Sequence, residues 1–171
     1  MFPSPSHTNL SSFVAHAFNR ERMRARKDSL LAALLGRNSR LKYISDPSLS
    51  ALQNKRYAGL QSIPTEKIAG TVSRSDDFDS EFRPRKGHLR DRWVNMFILL
   101  QSDSWAPIVV HKAGDVYYVE DGHHRVSVAR SVGMSFIEAE VWDRSGQAVQ
   151  PCVCPSRRLV AATPVCACAT D

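Results

Sequence analysis

The 171-residue chain carries 23 Lys and Arg against 17 Asp and Glu, a formal charge of +6, with 43% hydrophobic residues. That length suits one domain with its own core and excludes two large ones. No apolar run approaches the roughly 20 residues of a membrane span, so we expect no membrane partner and a cytoplasmic location; the basic charge points to nucleotides or nucleic acid.

In chain order, residues 1–10 are Ser/Pro-rich and read as a disordered start without the apolar segment of a secretory signal. Residues 11–57 read as a helical extension. Its main helix spans 11–37, with Ser11 or Ser12 as cap and Gly36 as stop. Leu30, Leu31, Leu34 and Leu35 form an i, i+4 stripe expected to face inward. Arg20, Arg22, Arg24, Arg26 and Lys27 make a solvated basic face open to phosphates. A short second helix is expected after Asp46-Pro47, where Asp caps and Pro takes the first turn.

Residues 58–143 read as the main domain. A short strand and turn are expected at Ile63-Pro64, before Glu66-Lys67-Ile68. The stretch TVSRSDDFDSEFRPRKGH is polar and turn-rich. A buried helix follows, with Leu89, Trp93, Met96, Phe97 and Leu100 at helical spacing. Strands over 107–111 and 116–119 flank Lys112-Ala113-Gly114-Asp115, a tight hairpin turn. A helix runs over 122–132 with Gly133 as its stop, and a last alternating strand runs from Phe136 to Trp142. Strand, helix, hairpin, helix, strand describes a compact α+β domain, a small mixed sheet with packed helices.

Residues 144–171 read as a flexible tail. Its pairs Cys152-Val153-Cys154 and Cys166-Ala167-Cys168 are spaced more tightly than structural zinc ligands, and Pro151, Pro155 and Pro164 interrupt it, so no protein-held metal is expected there.

The chemistry concentrates in YVEDGHHRVSVAR, residues 118–130. A strand entering a helix through a glycine turn leaves backbone N–H groups free at the helix N-terminus, where the helix dipole favours an anion. Gly122 lacks the Cβ that would hold a phosphate off the backbone. Arg125 offers a planar fork for two phosphate oxygens, and His123 and His124 offer further donors. Glu120 and Asp121 would repel a bare phosphate, and make sense if one holds Mg²⁺ or activates a nucleophile. Gly122, His123, His124 and Arg125 are therefore the phosphate-binding candidates; Asp121, Glu120 and Glu66 are the catalytic ones. The blander reading makes Asp121 a helix cap, Gly122 a tight turn and Arg125 a surface partner of Glu120.

Ile63-Pro64…Lys67-Ile68, Pro107-Ile108-Val109-Val110, Tyr117…Asp121-Gly122-His123-His124-Arg125…Ala129-Arg130…Gly133 and Ile137…Val141 together resemble the ParB N-terminal / sulfiredoxin-like superfamily. The resemblance implies a nucleotide at the strand–helix junction: CTP as in partition proteins, ATP as in sulfiredoxins, or ADP/ATP as in a small-molecule serine kinase branch. It implies Gly122, His124 and Arg125 as phosphate binders, with His123 in the variable slot and Arg85, within Phe82-Arg83-Pro84-Arg85, as a further ligand. Two departures narrow it. Sulfiredoxins place their catalytic cysteine where this chain has His123, which speaks against sulfinic-acid reduction. Partition proteins read Gly-Glu-Arg-Arg at the turn and continue into a helix-turn-helix domain, for which the residues after the last strand are too few.

The expectation is thus a stand-alone ParB-like protein binding a nucleoside di- or triphosphate with Mg²⁺, with or without hydrolysis. One alternative is a non-catalytic DNA-associated protein using the basic N-terminal helix and Arg83–Arg92. Another is a small-metabolite kinase with Glu66 or Asp121 as base. Oligomerisation is compatible with each.

Overall fold

The structure, a computed structural model, describes residues 7–44, 56–73, 76–102 and 105–143. The short helix expected after Asp46-Pro47 and the cysteine-bearing tail lie outside the described residues.

Helix α1 (His7–Leu34) opens the fold. Its inward side is Val14, Ala15, Phe18 and Ala25, all buried. Phe18 meets the Trp93 ring edge-on at a centroid distance of 5.8 Å. The leucine stripe does not face inward as expected: Leu30, Leu31, Leu34 and Leu35 are 56–83% exposed. The reason is helical phase. At about 100° per residue, the side defined by Val14, Phe18 and Ala25 continues through Ser29 and Ala32, and the leucines fall outside it. Because Val14 and Phe18 belong to the same core as the sheet, the segment expected as an extension is packed into the domain.

Strand β1 (Arg56–Pro64) is longer than the strand expected at Ile63-Pro64. A 3₁₀ turn, Thr65–Lys67, leads to β2 (Ile68–Thr71). After a long connection come helix α2 (Arg90–Gln101), the hairpin β3 (Ile108–Ala113) and β4 (Val116–Asp121), helix α3 (His123–Ser131) and strand β5 (Phe136–Asp143). The sheet order is β1-β5-β3-β4-β2. The pairs β1/β5 and β3/β4 are antiparallel; β3/β5 and β2/β4 are parallel. The fold is α+β, a five-stranded mixed sheet with packed helices.

Alternation decides the two faces of this sheet. Ile63, Ile108, Val110, Val119, Ile137, Ala139 and Val141 are buried toward the helices. They meet Val126, Val128 and Ala129 of α3 and Trp93 of α2 in one cluster, and the Trp93 indole N–H donates to Ser127 Oγ at 3.0 Å. Helix α1 packs on α2, and α2 on α3. The outer edge of β2 is covered by chain: Thr71 N–H donates to the Lys42 carbonyl at 2.9 Å, and Ile44 N–H to that of Thr71 at 3.1 Å.

The polar stretch before α2 holds more core than its composition implies. Phe78 and Phe82 are both buried. The backbone around them is pinned by Asp79, whose Oδ1 accepts the N–H groups of Glu81 at 3.0 Å and Arg83 at 2.8 Å. Arg83 then bridges Asp79 at 3.2 Å and Asp28 of α1 at 2.7 Å.

Candidate nucleotide cleft at the β4–α3 turn

Strand β4 ends in Glu120 and Asp121, and α3 begins one residue later. The connecting Gly122 sits at φ 102° and ψ 20°, left-handed backbone, and no side chain caps the helix. Asp121 is therefore not the N-cap. The first helical bond runs from Val126 N–H to the Gly122 carbonyl at 3.0 Å, so the amides of His123, His124 and Arg125 have no intrahelical acceptor. These three residues line a cleft of about 510 Å³. One wall is apolar, built from Phe78, Met96, Leu99 and Trp105; Arg92, Asp77 and Ser73 complete the rim.

Each residue of the turn has a structural occupation. A Cβ on Gly122 would stand 2.5 Å from Ile108 Cγ2 and 2.9 Å from Ile108 Cβ, so the glycine is demanded by the strand behind it as well as by the turn. The Arg125 guanidinium donates to the carbonyls of Ala106 and Pro107 and, at 2.6 Å, to Asp121 Oδ2. Its partner is Asp121, not the Glu120 of the blander reading, and the arginine straps the helix start to the chain entering β3. Glu120 instead meets the buried His111, with Nε2 2.5 Å from Oε2. His123 Nε2 lies 2.8 Å from Thr71 Oγ1, and its ring stacks 6.1 Å from Phe78. His124 sits edge-on to Phe78 at 5.2 Å, and its Nδ1 is buried without a hydrogen-bond partner.

The electrostatics follow from burial. Desolvation lowers the pKa of His123, against the pull of Asp121 and Asp77. Burial, with the Arg92 guanidinium next in weight, brings His124 down to about 4, so near neutrality both imidazoles are uncharged. Asp77 is paired with Lys86 at 2.7 Å. The three carboxylates lining the cleft, Asp77, Glu120 and Asp121, thus each have a partner. Among the described residues no group of three or more His, Cys, Asp or Glu is arranged to hold a metal ion.

Two expected site residues lie elsewhere. Glu66 lines a larger cleft of about 1030 Å³, beside Glu21, Arg24, Lys42 and Arg130, which shares no lining residue with the first. Arg85 lines a third, of about 310 Å³, with Arg26, Arg40 and Asp76. The contiguous sequence brings Glu120 to Arg125 together, and the fold does not add Glu66 or Arg85 to them. It adds Arg92, Met96, Leu99 and Trp105. Arg92, Met96 and Leu99 stand at i, i+4, i+7 on α2, a stripe visible in the sequence but merged there with the neighbouring core stripe. Trp105 is fixed by its indole N–H donating to the Met96 carbonyl at 2.8 Å, a contact without a sequence signal.

No family model and no curated protein matches the chain. Among solved structures it is similar to sulfiredoxin from Arabidopsis thaliana, at 21% identity over 51% of this chain and 85% of that one, with a TM-score of 0.36. A likeness at that level carries no argument about activity. Among the described residues, no helix is long and apolar enough to cross a membrane.

Proposed function

We propose that the protein contains a ParB-like domain whose β4–α3 cleft binds a nucleoside di- or triphosphate together with Mg²⁺. One observation carries the reading: the uncapped N-terminus of α3 and an apolar wall of Phe78, Met96, Leu99 and Trp105 share one cleft of about 510 Å³. Phosphates need the first of these features, and a base needs the second. The amides of residues 123–125 receive a phosphate. Arg92, exposed on the rim, supplies the mobile cation, while Arg125 holds the walls in register. Mg²⁺ commonly takes one or two protein carboxylates beside phosphate oxygens. Asp121, whose side chain is 63% exposed, is the carboxylate that fits, and Glu120, oriented by His111, stands next to it. Hydrolysis would use Asp121 to orient the attacking water.

The kinase alternative loses Glu66 as a base for this cleft, because that residue lines the other one. The DNA alternative keeps a specific observation. Arg22 of α1 reaches Gly87, with a guanidinium nitrogen 3.0 Å from where a Cβ would stand, which brings one arginine of the basic helix beside the Lys86–Arg92 region.

Calorimetry with CTP, ATP and ADP, with and without Mg²⁺, tests the proposal. Expected is Mg²⁺-dependent binding of at least one nucleotide, weakened about tenfold or more by Arg92→Ala and by Trp105→Ala. No binding at millimolar nucleotide, together with DNA binding of steep salt dependence, would replace it with the DNA reading.

A further inference from the structure

The domain exposes apolar side chains on the outward side of α1 and on one face of the sheet, and the two surfaces carry opposite charge. On the outward side of α1, Leu30, Leu31 and Leu34 are 68%, 56% and 83% exposed, and Met23 is half exposed. Met23, Lys27, Leu30 and Leu34 follow each other at helical spacing, with Arg20 and Arg24 alongside. Of the two acids of this helix, Glu21 is buried and shared by Arg20 at 3.4 Å and Arg24 at 2.9 Å, and Asp28 is tied to Arg83, so the surface keeps a net positive charge with Lys27 at its centre.

The second surface is the face of the sheet that no described helix covers. There β5 presents Phe136, Glu138 and Glu140, and β1 sets Ser62 opposite Glu138 and Leu60 opposite Glu140. Glu120 of β4 joins them by alternation. Leu60 and Phe136 are 57% and 56% exposed. No Lys or Arg of the strands lies on this face: the two that the strands contain, Arg56 and Lys112, both pair in register with Asp143 on the other.

Apolar patches of this kind, rimmed by charge, mark interaction surfaces. We propose that the occupant of each is the other surface on a second copy of this chain, with α1 of one molecule docking across the helix-free sheet face of the next. Charge selects this arrangement over the symmetric ones. Helix against helix would set Arg20, Arg24 and Lys27 against their own copies, and sheet against sheet would do the same with the glutamates. Helix against sheet matches Lys27 and its neighbours to Glu138 and Glu140, and the leucines to Leu60 and Phe136. A 28-residue helix is about 42 Å long, enough to cross five strands spaced about 4.8 Å apart. Because the contact joins two different patches of the same chain, it is head-to-tail, and each pairing leaves one helix face and one sheet face open for further copies.

Sedimentation velocity on the full chain over a wide concentration range, at low salt and at about tenfold higher salt, tests this. Wild type is expected to grow beyond a dimer with concentration and to shrink when salt is raised. A helix-face variant, Lys27→Gln with Leu34→Gln, and a sheet-face variant, Leu60→Lys with Glu138→Lys, change exposed side chains only; each is expected to be monomeric with wild-type melting, and the two altered surfaces do not complement each other. Mixed in equal amounts, they are expected to form a dimer and stop, since one intact helix meets one intact sheet. A wild type that stays monomeric at every concentration overturns the proposal. So does either variant that still assembles, or a mixture that does not pair.

Discussion

Replacing Gly122 by alanine strains the backbone and collides with the strand behind it, and the two costs are separable. An L residue held at the left-handed φ of 102° costs roughly 1–2 kcal/mol. The added methyl would also stand 2.5 Å from Ile108 Cγ2, an overpacking worth roughly 1–3 kcal/mol. The sum, roughly 2–5 kcal/mol, is a large part of a small domain's stability. Gly133 supplies the control: it too has a left-handed φ, 76°, but nothing lies within 4 Å of its Cβ position, so Gly133→Ala carries only the backbone share. Urea unfolding of both variants measures the difference. In a double-mutant cycle, Gly122→Ala with Ile108→Ala is expected to be less destabilised than the two single changes added together, because the second change removes the Cγ2 atom that the first one strikes. If Gly122→Ala is no less stable than Gly133→Ala, the steric account of this glycine is wrong.

Arg125→Lys is expected to lose roughly 1.5–3 kcal/mol in chemical denaturation, since an ammonium cannot serve two carbonyls and a carboxylate with the geometry of a guanidinium fork. The pKa of His124 is lowered on folding from 6.5 to about 4, so the unfolded chain takes up a proton first, and stability falls as pH drops from about 6.5 to about 4. This costs at most about 3 kcal/mol. Melting measured across that range should flatten in His124→Gln, while His123, shifted in the same direction, keeps a residual slope. Burial raises the pKa of Asp79, which makes its contribution larger at low pH and opposes the trend. Trp93→Phe leaves Ser127 Oγ buried without its indole donor and is expected to lower stability by roughly 1–3 kcal/mol, read by thermal unfolding.

The hairpin, α3 and β5 were legible because their alternation, turn glycines and helical spacing all agree. Strand β1 was not: it is an edge strand with Ile63 as its one buried residue, so most of it lacks the inward-facing positions that produce a pattern. Helix α1 was recognised, but its inward side was misassigned. Leucines make the stronger stripe in the sequence, whereas the fold buries Val14, Phe18 and small residues whose spacing follows the neighbouring helix. The glycine turn itself was legible because its residues are contiguous, but the pairing within it was not: the sequence suggested Glu120 as the partner of Arg125, and the fold pairs it with Asp121. The turn's other partners were not legible either, since Ala106, Pro107, His111 and Thr71 come from other parts of the chain. The separation of Glu66 and Arg85 from that turn is likewise set by tertiary packing.

The place of β5 in the sheet has a consequence for how the chain is made. It is the last described element in sequence, yet it lies between β1 and β3, and it is the one strand with which β1 pairs. During synthesis, β1 waits unpaired while the helices and the hairpin emerge, and β3 shows a bare edge beside β4. Such long-range pairing slows folding, and open edges recruit foreign strands while they wait. A chain stopped short of residue 136 would hold much of the apolar core but have two unsatisfied edges. Premature termination at that point should therefore yield a sticky, aggregation-prone fragment, although the missing strand is only a small part of the domain.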